Sequence, residues 1–325
     1  MPERKKIEWL AVLQGFSMLL VVIGHVSLTN KPGDPTTPIA TGIERTIYSF
    51  HMPLFIFISG WLFYYTCIKR EKLYKDMLVA KVKRLVIPFF VFTIAAMLLK
   101  IVFPSLMHRK VDMEEIVDTF VLLRSNPLGE MWFIVVLFEL MLLYPVYKFL
   151  VRNRLTVIMG IICAVILSVF TPPISYFYLR KVAYMIPFFV LGIVCCRYEW
   201  QKYMGNAYLF VIVAGLFVVC NVMNILPDSM AAVTALIGIL FVMSFCLIVA
   251  KYHPNILGSY RDYTFQIFLM GIFFQMAIRW LYVKIGNETL FVPMWLLSVA
   301  IGIYVPTFIA IAVKKNAIVR LCLGL

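Results

Sequence analysis

Charge and histidine are scarce in this sequence, and patterns typical of soluble proteins are missing. Of its 325 residues 14% are charged and four are histidines, whereas 63% are hydrophobic and 15% are aromatic. A soluble domain would be about half apolar, so the composition excludes an ordinary soluble enzyme. A mean hydropathy of +0.93 instead predicts a polytopic membrane protein, whose aromatic residues suit interfacial belts.

Several chemical signatures are missing as well. The seven cysteines show no CxxC spacing, which argues against a structural zinc site. The chain also lacks a glycine-rich phosphate loop and a Gly-x-Ser-x-Gly nucleophile motif. We therefore expect no metal, and we look for the chemistry among isolated polar groups inside the apolar segments.

The net charge of +14 is distributed in a way that argues against nucleic-acid binding. Lysine and arginine concentrate on one alternating set of loops between the apolar segments, and the longest basic run lies at 69–84. This is the positive-inside bias of membrane proteins. It predicts that both termini are cytoplasmic, that the lipid bilayer is a partner of the chain and that no nucleic acid binds.

Ten apolar segments are candidates to cross a membrane as helices, for which about 20 residues are needed. The predicted spans lie near 7–28, 44–66, 85–103, 131–148, 155–170, 182–197, 207–225, 230–250, 262–283 and 290–313. The connections between them are short. The prediction is an all-α, multi-pass bundle of about ten transmembrane helices, forming a single integral-membrane domain over residues 1–325.

Two connecting segments carry helical patterns. Residues 111–123, on the outer side, place apolar side chains on one face and acidic ones largely on the other, which indicates a helix on the membrane surface. It would serve either as an interfacial lid or as a rim for a substrate. The basic cytoplasmic segment 67–84 would either face lipid headgroups or form a phosphate site.

Two of the four histidines fall at neighbouring helix ends. His25 lies near the outer end of the first span and His51 begins the second, which runs inward, so we expect both at similar depth. Gln14 shares a helical face with His25, about 16 Å away along the axis. Because ionisable groups are costly at membrane depth and histidine can act as a base, these residues are candidates for a functional site. Interface histidines that only bond to nearby loops are the alternative.

Few other polar groups lie inside the spans. Glu139 is the most costly of them and should face the bundle interior, either as a structural hydrogen-bonding group or in catalysis. The others are Asn221, Gln266, Gln275 and Arg279. Ser59, the lone serine of segment 57–61, is expected to help helices pack closely rather than to act as a nucleophile.

At these positions the sequence resembles the integral-membrane acyltransferase-3 family. Residues 13–25 resemble its first-span signature and residues 50–60 its second-span signature. Segments 81–88, 131–133 and 263–269 resemble its basic, Trp-Phe and late-span motifs. The order of these motifs covers nearly the whole chain, and the nearest subgroup is that of the fucose 4-O-acetylase-like sugar O-acetyltransferases.

The resemblance implies that an acyl group, usually acetyl, passes from cytoplasmic acyl-CoA to a hydroxyl of an extracytoplasmic glycan or lipid-linked sugar. Acetyl-CoA would be the co-substrate, and the protein would lie in the plasma (inner) membrane of a bacterium. The family's catalytic histidine falls on His25, and its partner arginine or lysine falls on Gln14. A common aspartate falls on Ala11, and a late-span histidine falls near Gly271. Glu8, one turn before Ala11, is the candidate substitute for the lost acid.

The predicted catalytic residues are His25, Gln14 and His51. His25 would take the proton of the acceptor hydroxyl as it attacks the thioester, although a covalent acyl-histidine is left open. Gln14 would donate a hydrogen bond near His25 or to the pantetheine arm. His51 would shape the outer part of the site.

Basic and tunnel-lining residues complete the predicted site. Lys81, Lys83 and Arg84 would bind the phosphates of acyl-CoA, and Trp132 and Glu139 would line the substrate tunnel. The rival functions are a sugar or lipid transporter or flippase and a non-catalytic membrane sensor on the same scaffold. Release of CoA separates the enzyme from both, and the oligomeric state is left open.

Overall fold

The computed structural model describes residues 7–26, 28, 38–102, 113–171 and 173–325, and the regular elements in these ranges are all helical. The α-helices are α1 (Glu8–Gly24), α2 (Pro38–Tyr48), α3 (His51–Phe63), α4 (Tyr74–Lys81), α5 (Ile87–Val102), α6 (Met113–Phe120), α7 (Trp132–Leu142), α8 (Tyr144–Leu150), α9 (Arg154–Val169), α10 (Leu179–Arg197), α11 (Gln201–Met204), α12 (Ala207–Phe217), α13 (Ala231–Tyr252), α14 (Thr264–Ile285), α15 (Phe291–Ala312) and α16 (Ala317–Cys322). Turns of π-helix continue α3, α4 and α12, at Tyr64–Ile68, Val82–Val86 and Val218–Val222.

Within the described ranges, six helical runs are long and apolar enough to cross a bilayer. They are Thr41–Ile68, Tyr74–Ile101, Tyr176–Arg197, Asp228–Tyr252, Arg261–Ile285 and Phe291–Lys315, and the bent pair Gly129–Leu142 and Tyr144–Leu150 makes a seventh if it is one span. Three shorter apolar helices are Glu8–Gly24, Arg154–Val169 and Ala207–Val222. Each predicted span therefore coincides with an apolar helix, but the count of ten crossings stays a prediction.

Some predicted boundaries were wrong. The third predicted span starts eleven residues too late, because the helix is already formed at Tyr74 and runs to Ile101. Lysine and arginine are good helix formers, so the basic residues of segment 74–84 do not end it. The fourth span is bent by 56° between Leu142 and Tyr144. Pro145 follows directly and cannot donate a backbone hydrogen bond.

The surface helix expected in segment 111–123 is formed as α6, although the first two residues of that segment lie outside the described ranges. Its acidic side chains form ion pairs with residues outside the helix. Glu115 forms an ion pair with the buried Lys100 of α5, and Asp118 forms one with Arg124 at 2.6 Å. The amphipathic pattern predicted the helix but not these partners, because the partners lie outside the segment or at its edge.

The contacts divide the described chain into two compact units. The first combines the chain up to Phe55 with Trp200–Val313, and the second combines Ile56–Glu199 with Lys314–Leu325. In the first unit α1 packs against α2, α13, α14 and α15. In the second unit α10 packs against α7 and α9, and α16 packs against α5.

Two glycines bring α3 and α10 to backbone contact within the second unit. A Cβ atom on Gly60 would lie 2.1 Å from the carbonyl oxygen of Phe189, and one on Gly192 would lie 2.1 Å from that of Phe57. These distances leave no room for a methyl group. The close approach of α3 and α10 therefore depends on Gly60 and Gly192, and the packing role expected of Ser59 stays a prediction.

We predict that Gly60→Ala and Gly192→Ala each destabilise the protein by about 1–3 kcal/mol, the usual cost of overpacking. Gly215→Ala in α12 is the matched control, because a Cβ atom there meets nothing within 4 Å. This control should be neutral or stabilising, since glycine inside a helix costs about 0.5–1 kcal/mol. Thermal unfolding in detergent measures the difference, and equal stability of the three variants would contradict the packing.

Candidate active site

The side chain of His25 forms a hydrogen bond to the last turn of helix α1. Its Nδ1 lies 2.8 Å from the carbonyl oxygen of Val21, and its backbone N–H donates to the same oxygen at 3.0 Å. A carbonyl oxygen only accepts, so Nδ1 carries a proton and the lone pair of the neutral ring is on Nε2. The last carbonyls of a helix lack partners inside it. Gln275 of α14 satisfies the carbonyl of Val22 by donating to it at 2.8 Å.

His51 makes the same arrangement at the end of α2. It is the first residue of α3 and is 2% exposed. Its Nδ1 donates to the carbonyl oxygen of Ile47 at 3.0 Å. In the neutral ring the lone pair is again on Nε2, so both histidines bond one nitrogen to a carbonyl near a helix end and keep the other as an acceptor.

Tyr48 joins the two histidines in an aromatic cluster, the His25–Tyr48–His51 cluster. The ring centroids of His25 and His51 are 6.2 Å apart, and Tyr48 lies 5.7 Å from the first and 4.8 Å from the second. Gly24 permits this approach, because a Cβ atom there would lie 3.1 Å from the side chain of Ile47. The structure thus brings both predicted histidines together. Tyr48 was not predicted, although its position three residues before His51 is the spacing of neighbours on a helix.

Asn221 holds the α2–α3 junction that carries Tyr48 and His51. It is 1% exposed, and its Nδ2 donates to Ser49 Oγ at 2.8 Å and to the carbonyl oxygen of Thr234 at 3.1 Å. Asn221 lies in a π-helical turn, a feature that often marks functional sites. Asn221, the polar residue noted in the seventh predicted span, therefore stabilises the α2–α3 junction of the cluster through hydrogen bonds from the end of α12.

Gln14 lies on α1, about three turns before His25, and is half-buried. The helical register places it on the same side of α1 as His25, about 16 Å away along the axis. Ala11 is buried one turn earlier. The structure thus keeps Gln14 outside the His25–Tyr48–His51 cluster but on the helix that ends in it.

The predicted phosphate-binding residues lie in the second unit. Lys83 and Arg84 are exposed on the π-helical turn Val82–Val86, where their charges face outward. Lys81 is partly buried, and its Nζ lies 5.7 Å from the centroid of the Phe63 ring. Lys83 and Arg84 are therefore the more accessible cations, while Lys81 packs on an aromatic face.

Trp132 and Glu139 share one face of α7, seven residues and about 10 Å apart. Lys181 Nζ lies 4.0 Å from the ring centroid of Trp132 and 5.3 Å from that of Tyr178. Glu139 Oε2 is buried, and no described residue forms a hydrogen bond with it. Lys181 was not predicted, because a lysine at the end of a span normally extends its ammonium group to the interface.

The predicted site residues therefore fall into two sets. The first unit holds His25, Gln14 and His51, and the second holds Lys81, Lys83, Arg84, Trp132 and Glu139. Among the described residues, no group of three or more His, Cys, Asp and Glu side chains is arranged to hold a metal ion. The chemistry available in the first unit is that of two imidazoles with acceptor nitrogens beside a phenol ring.

Comparison with known proteins relates the chain to a family over nearly its whole length. A family model described as an acyltransferase domain matches residues 7–313. No curated protein and no solved structure matches the chain. The matched range includes most of both units and every predicted site residue.

We predict that His25 and His51 both occupy the Nδ1–H tautomer, because each Nδ1 faces a backbone carbonyl. NMR of protein labelled with ¹⁵N-histidine at mildly alkaline pH measures this directly, and His25→Gln and His51→Gln assign the signals. The exposed His253 serves as an internal control and should show the Nε2–H form that free histidine prefers. Protonated Nε2 atoms in both His25 and His51 would contradict the geometry.

Proposed function

The chain belongs to the acyltransferase-3 family, and from this premise we propose that it transfers an acetyl group from acetyl-CoA to a hydroxyl of an extracytoplasmic glycan or lipid-linked sugar. Its nearest relatives would be the fucose 4-O-acetylase-like sugar O-acetyltransferases, as the motifs at 13–25 and 50–60 suggest. The observation that carries the proposal is the His25–Tyr48–His51 cluster, in which imidazole nitrogens are left as acceptors at a helix end.

The proposed topology has ten crossings with both termini cytoplasmic, in the inner membrane of a bacterium. The three shorter apolar helices support it. Helix α1 has 17 residues and is about 26 Å long, close to the roughly 30 Å hydrocarbon core of a bilayer. The concentration of basic residues on alternate loops sets the orientation.

In the proposed reaction His25 is the general base. Its Nε2 removes the proton from the acceptor hydroxyl as the oxygen attacks the thioester carbonyl, and a C–O bond forms. The C–S bond breaks, and the CoA thiolate leaves and takes the proton back from the imidazolium. The Val21 carbonyl, bound to Nδ1–H, orients the ring and favours the imidazolium that forms.

The donor would be bound through its phosphates by Lys83 and Arg84, with Lys81 beside them. Arginine matches phosphate oxygens with two parallel N–H groups, and lysine adds a compact charge. Gln14 is a neutral donor suited to the amide groups of the pantetheine arm. In the proposed topology these basic residues face the compartment that contains CoA.

The acceptor sugar would lie on the aromatic and polar groups of α7. Trp132 offers an apolar ring to a sugar on the side that Lys181 does not cover, and the Lys181 ammonium beside it would attract hydroxyl or acidic substituents. Glu139 has a buried oxygen that no described residue satisfies, and a sugar hydroxyl would satisfy it. These features support a carbohydrate acceptor rather than an acyl-chain acceptor.

We predict that His25→Ala lowers the rate of acetyl transfer by a factor of about 10² to 10⁴, the usual contribution of a general base. The purified protein in proteoliposomes is given acetyl-CoA and an acceptor glycan, and release of free CoA is measured. His253→Ala is the matched control, because His253 is exposed and distant in sequence from both histidines of the cluster.

The same assay separates the rival functions. Substrate movement across the bilayer without release of CoA would indicate a transporter, and neither process would indicate a sensor. Retention of most of the activity in folded His25→Ala would refute the assignment of the base.

We predict that Lys81→Ala/Arg84→Ala raises the apparent KM for acetyl-CoA while kcat changes little, because binding common to ground and transition states is lost. Lys148→Ala/Arg152→Ala is the matched control, since it removes two exposed cations from the same proposed side. Rates are normalised to folded protein, because Lys81 packs on Phe63. An unchanged KM across a salt series would assign the basic run to lipid headgroups instead.

A further inference from the structure

We propose that Arg261 is a positioning residue for the transfer. Its buried guanidinium supplies the fixed positive charge beside helix α1 on which the reaction depends. The proposal rests on the proposed function, because it concerns the same reaction. It explains how a protein with the neutral Gln14 on α1 can still present a fixed positive charge beside that helix.

Three contacts hold the Arg261 guanidinium at the start of α14. Its Nη2 donates to Glu8 Oε2 at 2.7 Å, and its Nη1 donates to the carbonyl oxygens of Pro254 and of Ile256, the latter at 3.3 Å. Arg261 is 5% exposed. Glu8 lies 253 positions away in the sequence, so the pair joins the first turn of α1 to the segment between α13 and α14.

The surface of α1 is shaped to receive this arginine. Glu8, Ala11 and Gly15 lie three and four residues apart, which places them in one stripe along the helix. A Cβ atom on Gly15 would lie 2.8 Å from the Cβ of Arg261, so only glycine admits the side chain there. The hydroxyl of Tyr260 also donates to the Gly15 carbonyl at 3.3 Å, and burial raises the pKa of that phenol, which keeps it a donor.

Stability alone does not account for this pair. Burying the Arg261 guanidinium costs desolvation, which its attraction to Glu8, whose side chain is 41% exposed, recovers only in part. The Arg261 Nε–H is also buried without an acceptor among the described residues, which carries a cost of its own. Arg261 is thus buried at a cost, beside Gly15 and next to the predicted site residue Gln14. A charge retained at such a cost is a candidate functional group.

The arrangement also predicts how position 14 responds to charge. In the native protein Glu8 is already paired, so an arginine at position 14 would add a second cation beside Arg261 without an acid to pair it. An unpaired charge at membrane depth is costly. When Arg261 is removed, that first cation is gone, and an arginine at position 14, next to Gly15, restores a positive charge beside α1.

The test is a double-mutant cycle with Gln14→Arg and Arg261→Gln, measured as release of CoA per folded molecule. We expect each single substitution to lower kcat by a factor of about 10², because a small displacement of a positioned group has an effect of this size. We expect the double variant to recover at least about tenfold over Arg261→Gln. The effect of Gln14→Arg therefore changes sign with the residue at position 261, which a merely structural arginine would not produce.

Conservative and matched variants complete the design. Arg261→Lys keeps the charge but loses two of the directed N–H groups and should retain intermediate activity, and Lys251→Gln removes an exposed cation nearby and should have no effect. If Arg261→Gln does not fold, Arg261→Lys and Glu8→Gln decide: full activity in both would overturn the proposal. A Gln14→Arg effect that is the same in both backgrounds would also overturn it. A native protein that releases no CoA would refute the proposed function as well, whereas an active one insensitive to these changes refutes only the role of Arg261.

Discussion

The close packing of α1 against its neighbours is the constraint on which the first unit depends. The last carbonyl groups of a helix lack donors inside the helix, so where water does not reach them the rest of the protein must supply donors. Here the carbonyl of Val21 accepts a second hydrogen bond, from the side chain of His25, and that of Val22 accepts from Gln275 of α14. The contact of Gln275 requires α14 to approach α1 closely. Other neighbouring segments also approach α1 closely at Gly15 and Gly24, where larger side chains would meet neighbouring side chains.

The same bonds leave each histidine able to act as a base in the proposed reaction. The Nδ1–H of each histidine is bonded to a carbonyl near a helix end, which orients the ring and leaves Nε2 as the acceptor. The rings are then assembled by backbone geometry rather than by charged partners, and Asn221 holds the junction that carries two of them. In the proposed topology, such a site needs few charged side chains within the membrane. Arg261, a strongly buried cation near α1, is paired with Glu8 at the helix start.

The features that follow from local pattern were predictable from the sequence. Apolar runs located the helices, and the positions of His25 and His51 at neighbouring helix ends indicated that they would meet. The 56° bend before Pro145 and the π-helical turn that carries Lys83 and Arg84 were not predicted, because hydropathy does not register backbone hydrogen bonding. The Glu8–Arg261 pair and the contact of Asn221 with Ser49 were not predictable either. Their partners are 253 and 172 positions apart, and a single sequence contains no signal for contacts at that separation.

The central claim is that this protein acetylates a carbohydrate outside the cytoplasm, and its most direct test is the mass spectrum of the surface glycan. Glycans are compared from cells that express the protein, from cells in which its gene is deleted and from deleted cells in which the gene is restored. The account predicts that the glycan of deleted cells keeps its sugar composition and amount but lacks a base-labile acetyl group, which returns with the gene. An unchanged acetylation pattern in the deleted cells, or a loss of the whole glycan in place of its acetyl group, would contradict it.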